Sequence, residues 1–281
     1  MDPVTCVILS ACSFLILVQV ITPKIFQLYP VFKKLSENKK IEAAVRMAST
    51  VHGVIASIFS IYVVLFDTEI CKDFVWGYSE AAGNSLANTM GYLLADFCLM
   101  MWFGFEVSGG SWAYCFHHIG SFYAYYLAIS HSFLLRVANI RLLAEFSTLF
   151  VNARWCLASL DLKDNKLYFI NGVLMTFAFF LCRIAIMPYF YYMAWQVINS
   201  KSYESVSFLL HVSWIGVCLM LDVFNCIWFV KMIRGAFKHM NYAESHSTPS
   251  KVAANDVYSV VNGAKVKGLG KTSQHDDSKN D

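Results

Sequence analysis

Trp112-Ala113-Tyr114-Cys115-Phe116-His117-His118-Ile119-Gly120-Ser121-Phe122-Tyr123-Ala124-Tyr125-Tyr126 sets two adjacent histidines in a segment apolar enough to lie in a bilayer. An ionisable group in such a place marks a functional site by default. His117 and His118 are therefore the first candidates for chemistry.

The rest of the chain has the same character. Of its 281 residues 57% are hydrophobic and 15% charged, against roughly a quarter charged in an average soluble domain. Runs long enough to cross about 30 Å of hydrocarbon recur at residues 4–21, 47–66, 86–105, 111–130, 142–160, 168–195 and 206–230. Backbone polar groups in lipid must be paired internally, and these runs are too long for barrel strands. The expectation is an all-α, polytopic membrane protein of about seven transmembrane helices.

The formal net charge of +3 falls between apolar runs and not on one soluble face, so no nucleic-acid partner is expected. The positive charges report topology instead. Lys24, Lys33, Lys34, Lys39, Lys40 and Arg46 follow the first run, and Lys231, Arg234 and Lys238 follow the last. Under the positive-inside rule both groups face the cytoplasm, which sets the C-terminus there and the N-terminus on the lumenal or external side. The basic first loop is such a signal, and it can also meet anionic headgroups or the phosphates of an acyl-coenzyme A. The first run lacks a basic flank ahead of it, so it reads as a retained anchor stopped by Pro23 and not as a cleaved signal peptide. Nine cysteines fall almost entirely in apolar segments, only Cys71 in a lumenal loop, and are expected to be buried free thiols.

Along the chain, Arg46, Ser49 and His52 share one helical face. Asp96 lies alone near the middle of the third run and must be paired or protonated. Tyr92 is one turn away, and His117 or His118 can reach Asp96 from the next helix, which a short connection makes an antiparallel neighbour. Adjacent residues project about 100° apart on a helix, so one histidine is expected to face a cavity and the other a neighbouring helix; a purely structural pair satisfied by tyrosine or serine hydroxyls is the alternative. Glu145, Asn152 and Arg154 mark the fifth run, where Arg154 is placed to pair with Asp96. Arg183 and Pro188 lie in the sixth run, with a kink expected at the proline, and Asp222 and Asn225, one turn apart in the seventh, can share a partner. From about residue 241 the composition turns to Ser, Lys, Asp, Asn and Gly, that of a disordered tail.

Eight scattered histidines with one adjacent pair do not supply the clusters of a di-iron site, and no Cys/His spacing fits zinc; no metal is expected. Asp-Arg-Tyr and Asn-Pro-x-x-Tyr signatures of receptors are missing as well. Acyl transfer suits the histidines better: a neutral imidazole can attack a thioester, with a carboxylate on its far nitrogen fixing the tautomer. Asp96 has the right depth for that carboxylate.

The set Arg46-x-x-Ser49-x-x-His52, Gly91-Tyr92-x-x-x-Asp96, Phe116-His117-His118 and Glu145-Phe-Ser-Thr-x-Phe-x-Asn152-x-Arg154-Trp155 resembles the TLC domain family across residues 34–241. The resemblance implies a six-helix bundle of endoplasmic-reticulum type around a lipid-accessible cavity, with residues 1–33 outside the domain and residues 242–281 forming the tail. Ceramide synthases of this family carry a histidine pair, then a His-Asp pair, then two further acids. His117 and His118 match the first pair, whereas the second falls on Ala144-Glu145 and the later acids on Thr148 and Asn152. Two functions follow as expectations. One is the binding or handling of acyl lipids in lipid homeostasis, without a cofactor. The other is acyl transfer from acyl-coenzyme A through His117 or His118 with Asp96, where His52, Glu145, Asn152 and Arg154 contact the bound lipid or substrate.

Overall fold

The computed structural model describes residues 2–108 and 110–247, with side chains as far as Phe237. These residues are helical, without a strand among them. The long elements are α1 (Pro3–Leu28), α2 (Glu37–Leu65), α3 (Glu80–Phe103), α4 (Trp112–Ser130), α5 (Leu135–Leu142), α6 (Phe146–Ser159), α7 (Lys166–Ile198) and α8 (Phe208–Ser247). A 3-10 turn, Leu143–Glu145, joins α5 to α6, so the described residues make seven long helical runs. Five of them, α1, α2, α3, α7 and α8, are long and apolar enough to cross a membrane by length and composition. Of the other two runs, α4 has its hydropathy lowered by polar side chains, and α5–α6 is divided by the 3-10 turn into helices of 8 and 14 residues.

Residues 1–233 form one compact unit; in the second unit residues 234–247 are helical. The helix thus continues into the segment expected to be tail, while residues 248–281 of that tail lie outside the described residues.

Beside apolar core clusters, burial departs from that of a soluble protein in two ways. Ile8, Leu9, Ile58, Phe169, Phe177 and Val223 are exposed, whereas His52, Ser60, Asp96, His118, Asn139, Ser147, Arg183 and Asp222 are buried. Apolar side chains outward and polar side chains inward are what a bilayer selects, since lipid drives no hydrophobic collapse and helices associate through close packing and polar contacts. The chain is an integral, multi-pass membrane protein. All nine cysteines are unpaired, but only Cys115 is buried; Cys12, Cys98 and Cys226 sit on the outer surface, against the expectation of burial.

α2 lies centrally, against α3, α5 and α6, and α6 in turn packs on α7. α1 is not set apart as a bystander, because it packs along α3. Ser10 donates to the Asn88 carbonyl at 2.7 Å, and a Cβ on Gly91 would come within 2.5 Å of Ser10 Cβ and of the Val7 carbonyl. Nor does Pro23 end α1. The preceding residues Leu17–Ile21 form a π turn, closed by Thr22 N–H to the Leu17 carbonyl, and the shifted hydrogen bonds leave no interior donor for the proline to remove. The helix stops instead at Tyr29, extended ahead of Pro30, as the residue before a proline tends to be. α7 likewise departs from expectation, because its irregularity is a π segment at Phe180–Ala185, ahead of Pro188.

At the α2–α3 connection, Asp73 accepts from Val75 N at 2.7 Å, Trp76 N at 3.1 Å and Ser202 Oγ at 2.9 Å. Burial pushes this carboxyl up, but the three donors outweigh it and hold its pKa below the ordinary value. The contact joins residues 66–79 to the α7–α8 connection, with Trp76 Nε1 donating to the Ser202 carbonyl at 2.9 Å.

Two predictions follow from this packing. Gly91→Leu forces α1 off α3 and is expected to lower stability by about 1–3 kcal/mol, the usual cost of overpacking, read as a lower unfolding midpoint of the detergent-purified full chain. A depressed pKa contributes stability that is present above the unfolded value, about 3.9 for aspartate, and is lost as pH falls through the folded one. Acidification below about pH 4 should therefore lower the wild-type midpoint more than that of Asp73→Asn, which has no such group to protonate.

Candidate functional site

α4 begins at Ser111, whose side chain accepts from Tyr114 N at 3.3 Å, the common N-cap arrangement. From that start Tyr114, His117, His118, Ser121 and Tyr125 recur along one side of the helix. All five border one cavity of about 360 Å³. The two histidines were expected to look different ways, yet both reach this space. A stripe wider than 100° accommodates adjacent residues at its two edges.

The same cavity is lined by Arg46, Ser49 and His52 from α2, Tyr92 from α3, Glu145 from the 3-10 turn, Ser147, Thr148 and Asn152 from α6, Arg183 from α7 and Lys231 from α8. Its apolar wall includes Val45, Leu93, Val151, Met175, Phe179 and Trp228.

His118 Nδ1 lies 3.1 Å from Asp96 Oδ2, with both side chains buried. The ring N–H is not aimed along that line, so neither atom completes a hydrogen bond; the contact is close but off-axis. Tyr114 packs on His118 at 3.9 Å between centroids. His117 meets the edge of Trp228 at 5.1 Å. His52 stacks nearly parallel on Tyr92, 4.0 Å and 9° apart, and Phe14 of α1 meets both rings edge-on. His52 Nδ1, His117 Nδ1, His118 Nδ1 and Asp96 Oδ2 are buried without a hydrogen-bond partner. Buried polar atoms are paired in the large majority of cases; His52, His117 and His118 border the cavity whereas Asp96 does not, so the histidines have capacity for a polar group from outside the chain.

Arg183 was read in the sequence only as a charge within an apolar run. The π segment turns it inward, where it donates to Ser147 Oγ and Asn225 Oδ1, each at 3.0 Å, and stands 3.9 Å from Glu145 Oε1. An arginine in the middle of an apolar run was the signal available for it. Asn152 borders the cavity, but its amide is already engaged: Oδ1 accepts from Arg46 at 3.2 Å, and Nδ2 donates to the Arg46 carbonyl and to Thr50 Oγ1. It brackets α6 to α2.

Arg154 neither lines the cavity nor pairs with Asp96. It donates to the Tyr168 carbonyl at 3.2 Å and lies over the Tyr168 ring at 3.9 Å, because its position on α6 faces the start of α7. Asp222 and Asn225 do not share a partner either. Asn225 takes Arg183, whereas Asp222 forms a two-pronged ion pair with Arg141 and accepts from Tyr191 OH at 2.6 Å. Among the described residues no group of three or more His, Cys, Asp or Glu is placed to hold a metal ion.

These features define a class: an all-α, multi-pass membrane protein with a histidine–carboxylate cluster facing an internal cavity. The family model of the TLC domain matches residues 42–234. The chain belongs to the TLC domain family. It is 37% identical over 214 residues to TLC domain-containing protein 4 of Homo sapiens, covering 76% of this chain and 81% of that one. With TLC domain-containing protein 4-B of Danio rerio the identity is 35% over 208 residues, 74% and 78% of the two chains. TLC domain-containing protein 1 of Homo sapiens is 24% identical over 191 residues, 68% and 74% of the two chains. No solved structure matches.

The Arg141–Asp222 pair is a structural counterpart to the histidine cluster. Arg141→Met leaves a buried carboxylate unpaired and should cost about 3–5 kcal/mol, seen as a large fall in the unfolding midpoint. Arg141→Met combined with Asp222→Leu should recover much of that loss.

Proposed function

We propose that this protein binds an acyl lipid in the cavity beside α4, with the hydrocarbon against Val45, Leu93, Met175, Phe179 and Trp228 and a polar group toward His52, His117 and His118, the last of these backed by Asp96. The observation that carries this reading is that three buried histidines, each with an unpartnered Nδ1, border one cavity that also has an apolar wall. A volume of about 360 Å³ falls within the range of small-molecule sites. The cavity extends toward Arg46 and Lys231, which border the basic ends of the sequence, and this supports entry from the cytoplasmic side with a lumenal N-terminus. Membership of the TLC domain family supports a role in lipid homeostasis and residence in the endoplasmic reticulum. His52 and Glu145 are assigned to lipid contact; Asn152 supports the wall, and Arg154 drops out of the proposed site.

One observation favours a second reading, acyl transfer. Asp96 stands 3.1 Å from His118 Nδ1, close enough to orient the imidazole once the off-axis contact straightens, as a nucleophile requires. In that reaction a bond forms between His118 Nε2 and the thioester carbonyl carbon of an acyl-coenzyme A, and the carbon–sulfur bond breaks. Coenzyme A leaves as the thiol, taking the imidazole proton, and an amine or hydroxyl acceptor then receives the acyl group.

The two readings separate by intact-protein mass spectrometry of the purified full chain after incubation with long-chain acyl-coenzyme A. Lipid binding alone predicts a lipid that co-purifies non-covalently and is depleted in Val151→Trp, which fills the cavity. Acyl transfer predicts an added acyl mass, sensitive to hydroxylamine and lost in His118→Ala. Material carrying neither lipid nor adduct would sink both.

A further inference from the structure

A second cavity, about 710 Å³, lies between the end of α1, the start of α2 and the end of α3. No residue lines both it and the histidine cavity. All but three of its lining residues precede the segment matched by the TLC model, the exceptions being Ala44, Trp102 and Phe103. It is thus built largely by residues ahead of the matched segment.

Its floor is apolar. Phe26 is buried and stacked on Phe32 at 4.3 Å, and Phe103 and Trp102 close the α3 side. Trp102 is 81% exposed, at the end of a membrane-spanning helix, where amphipathic rings sit at headgroup level. Its rim is cationic. Lys33 is exposed and has no ion pair among the described residues, while Lys40 is 2.8 Å from Glu37, the one acid that borders the groove. Lys34, ahead of α2, and Lys39, in its first turn, are exposed and add positive charge nearby. Between floor and rim stands Gln19, exposed on the π turn of α1 and bordering the groove with no hydrogen-bond partner among the described residues; its amide is free to donate to a bound polar group, and π turns recur at functional sites.

From these three features we infer that the groove holds an anionic phospholipid. Its headgroup phosphate meets Lys33 and Lys40, an ester carbonyl accepts from Gln19, and an acyl chain lies along Phe26, Trp102 and Phe103. The apolar floor rules against a free phosphate, and the surplus of lysine over glutamate rules against a neutral lipid. This site stands whether or not the histidine cavity binds a lipid, because the two share no wall.

Trp102 supplies the readout. The full chain is placed in nanodiscs of phosphatidylcholine containing a small fraction of chain-brominated phosphatidylserine or of chain-brominated phosphatidylcholine, and quenching of Trp102 is taken as wild type minus Trp102→Phe. The brominated phosphatidylserine should quench Trp102 at a lower mole fraction than its choline counterpart. That preference should fall about fivefold for each lysine removed in Lys33→Gln and Lys40→Gln, the factor expected for one cation at an anionic headgroup. Equal quenching by the two lipids would mean ordinary annular lipid and would overturn the inference, as would a preference unchanged in the double variant. If the double variant fails to fold, native mass spectrometry of the wild-type chain decides: preferential retention of phosphatidylserine over phosphatidylcholine supports the site, and no preference removes it.

Discussion

Asp96 is a carboxylate 2% exposed in the middle of a bundle helix. Taking such a group out of water costs several kcal/mol unless something in the protein meets it. The group that does so most closely is His118, on the helix reached by the next connection. From that contact a row of rings runs across the bundle: His118 to Tyr92 at 6.3 Å, Tyr92 to His52 at 4.0 Å, His52 to Phe14 at 6.0 Å. Four helices, α4, α3, α2 and α1, are thereby fixed around one polar centre. The small residues of α3, including Ala87, Gly91 and Ala95, let the flanking helices come close enough for those rings to touch, which is how membrane helices associate in the absence of a hydrophobic drive.

Regular helices alone would not build this centre. The 3-10 turn Leu143–Glu145 and the π segment Phe180–Ala185 each shift the register of a long run, and each delivers a charged residue, Glu145 or Arg183, to the cavity wall. Both breaks sit where polar groups must turn inward from lipid. The third irregularity, at Leu17–Ile21, lets α1 run past a proline.

That pattern also explains which parts were legible in the sequence. Hydropathy averages over many residues, so the all-α, multi-span architecture and the histidine pair stood out. Asp96 was matched to a histidine because antiparallel neighbours joined by a short loop bring similar depths together. Register shifts of one residue carry no such average signal, and so the inward turn of Arg183, the continuation of α1 beyond Pro23 and the true site of the α7 irregularity were missed. Arg154 was misassigned for a related reason. Depth along a helix says nothing of azimuth, and its side of α6 faces Tyr168 and not Asp96.

The polar groups inside the bundle then divide by whether their bonding is complete. Arg141, Asp222 and Tyr191 bond one another around a shared carboxylate, and Asn152 spends both ends of its amide on α2; such groups hold helices together. At the two positions where ceramide-synthase-like sequences carry further acids, this chain has Thr148 and Asn152, and Thr148 is likewise occupied, donating to Glu145 Oε2 at 3.0 Å. Neutral residues committed to packing thus stand where additional acid–base groups would be. Unused capacity is found at scattered single atoms, such as Thr22 Oγ1 and Ser85 Oγ, and most densely in the cluster of His52, His117, His118 and Asp96. A set selected only for packing would be expected to close its own bonds, as the Arg141 cluster largely does. Three histidines with open valences on one cavity depart from that pattern, and this departure is what the lipid-binding proposal rests on.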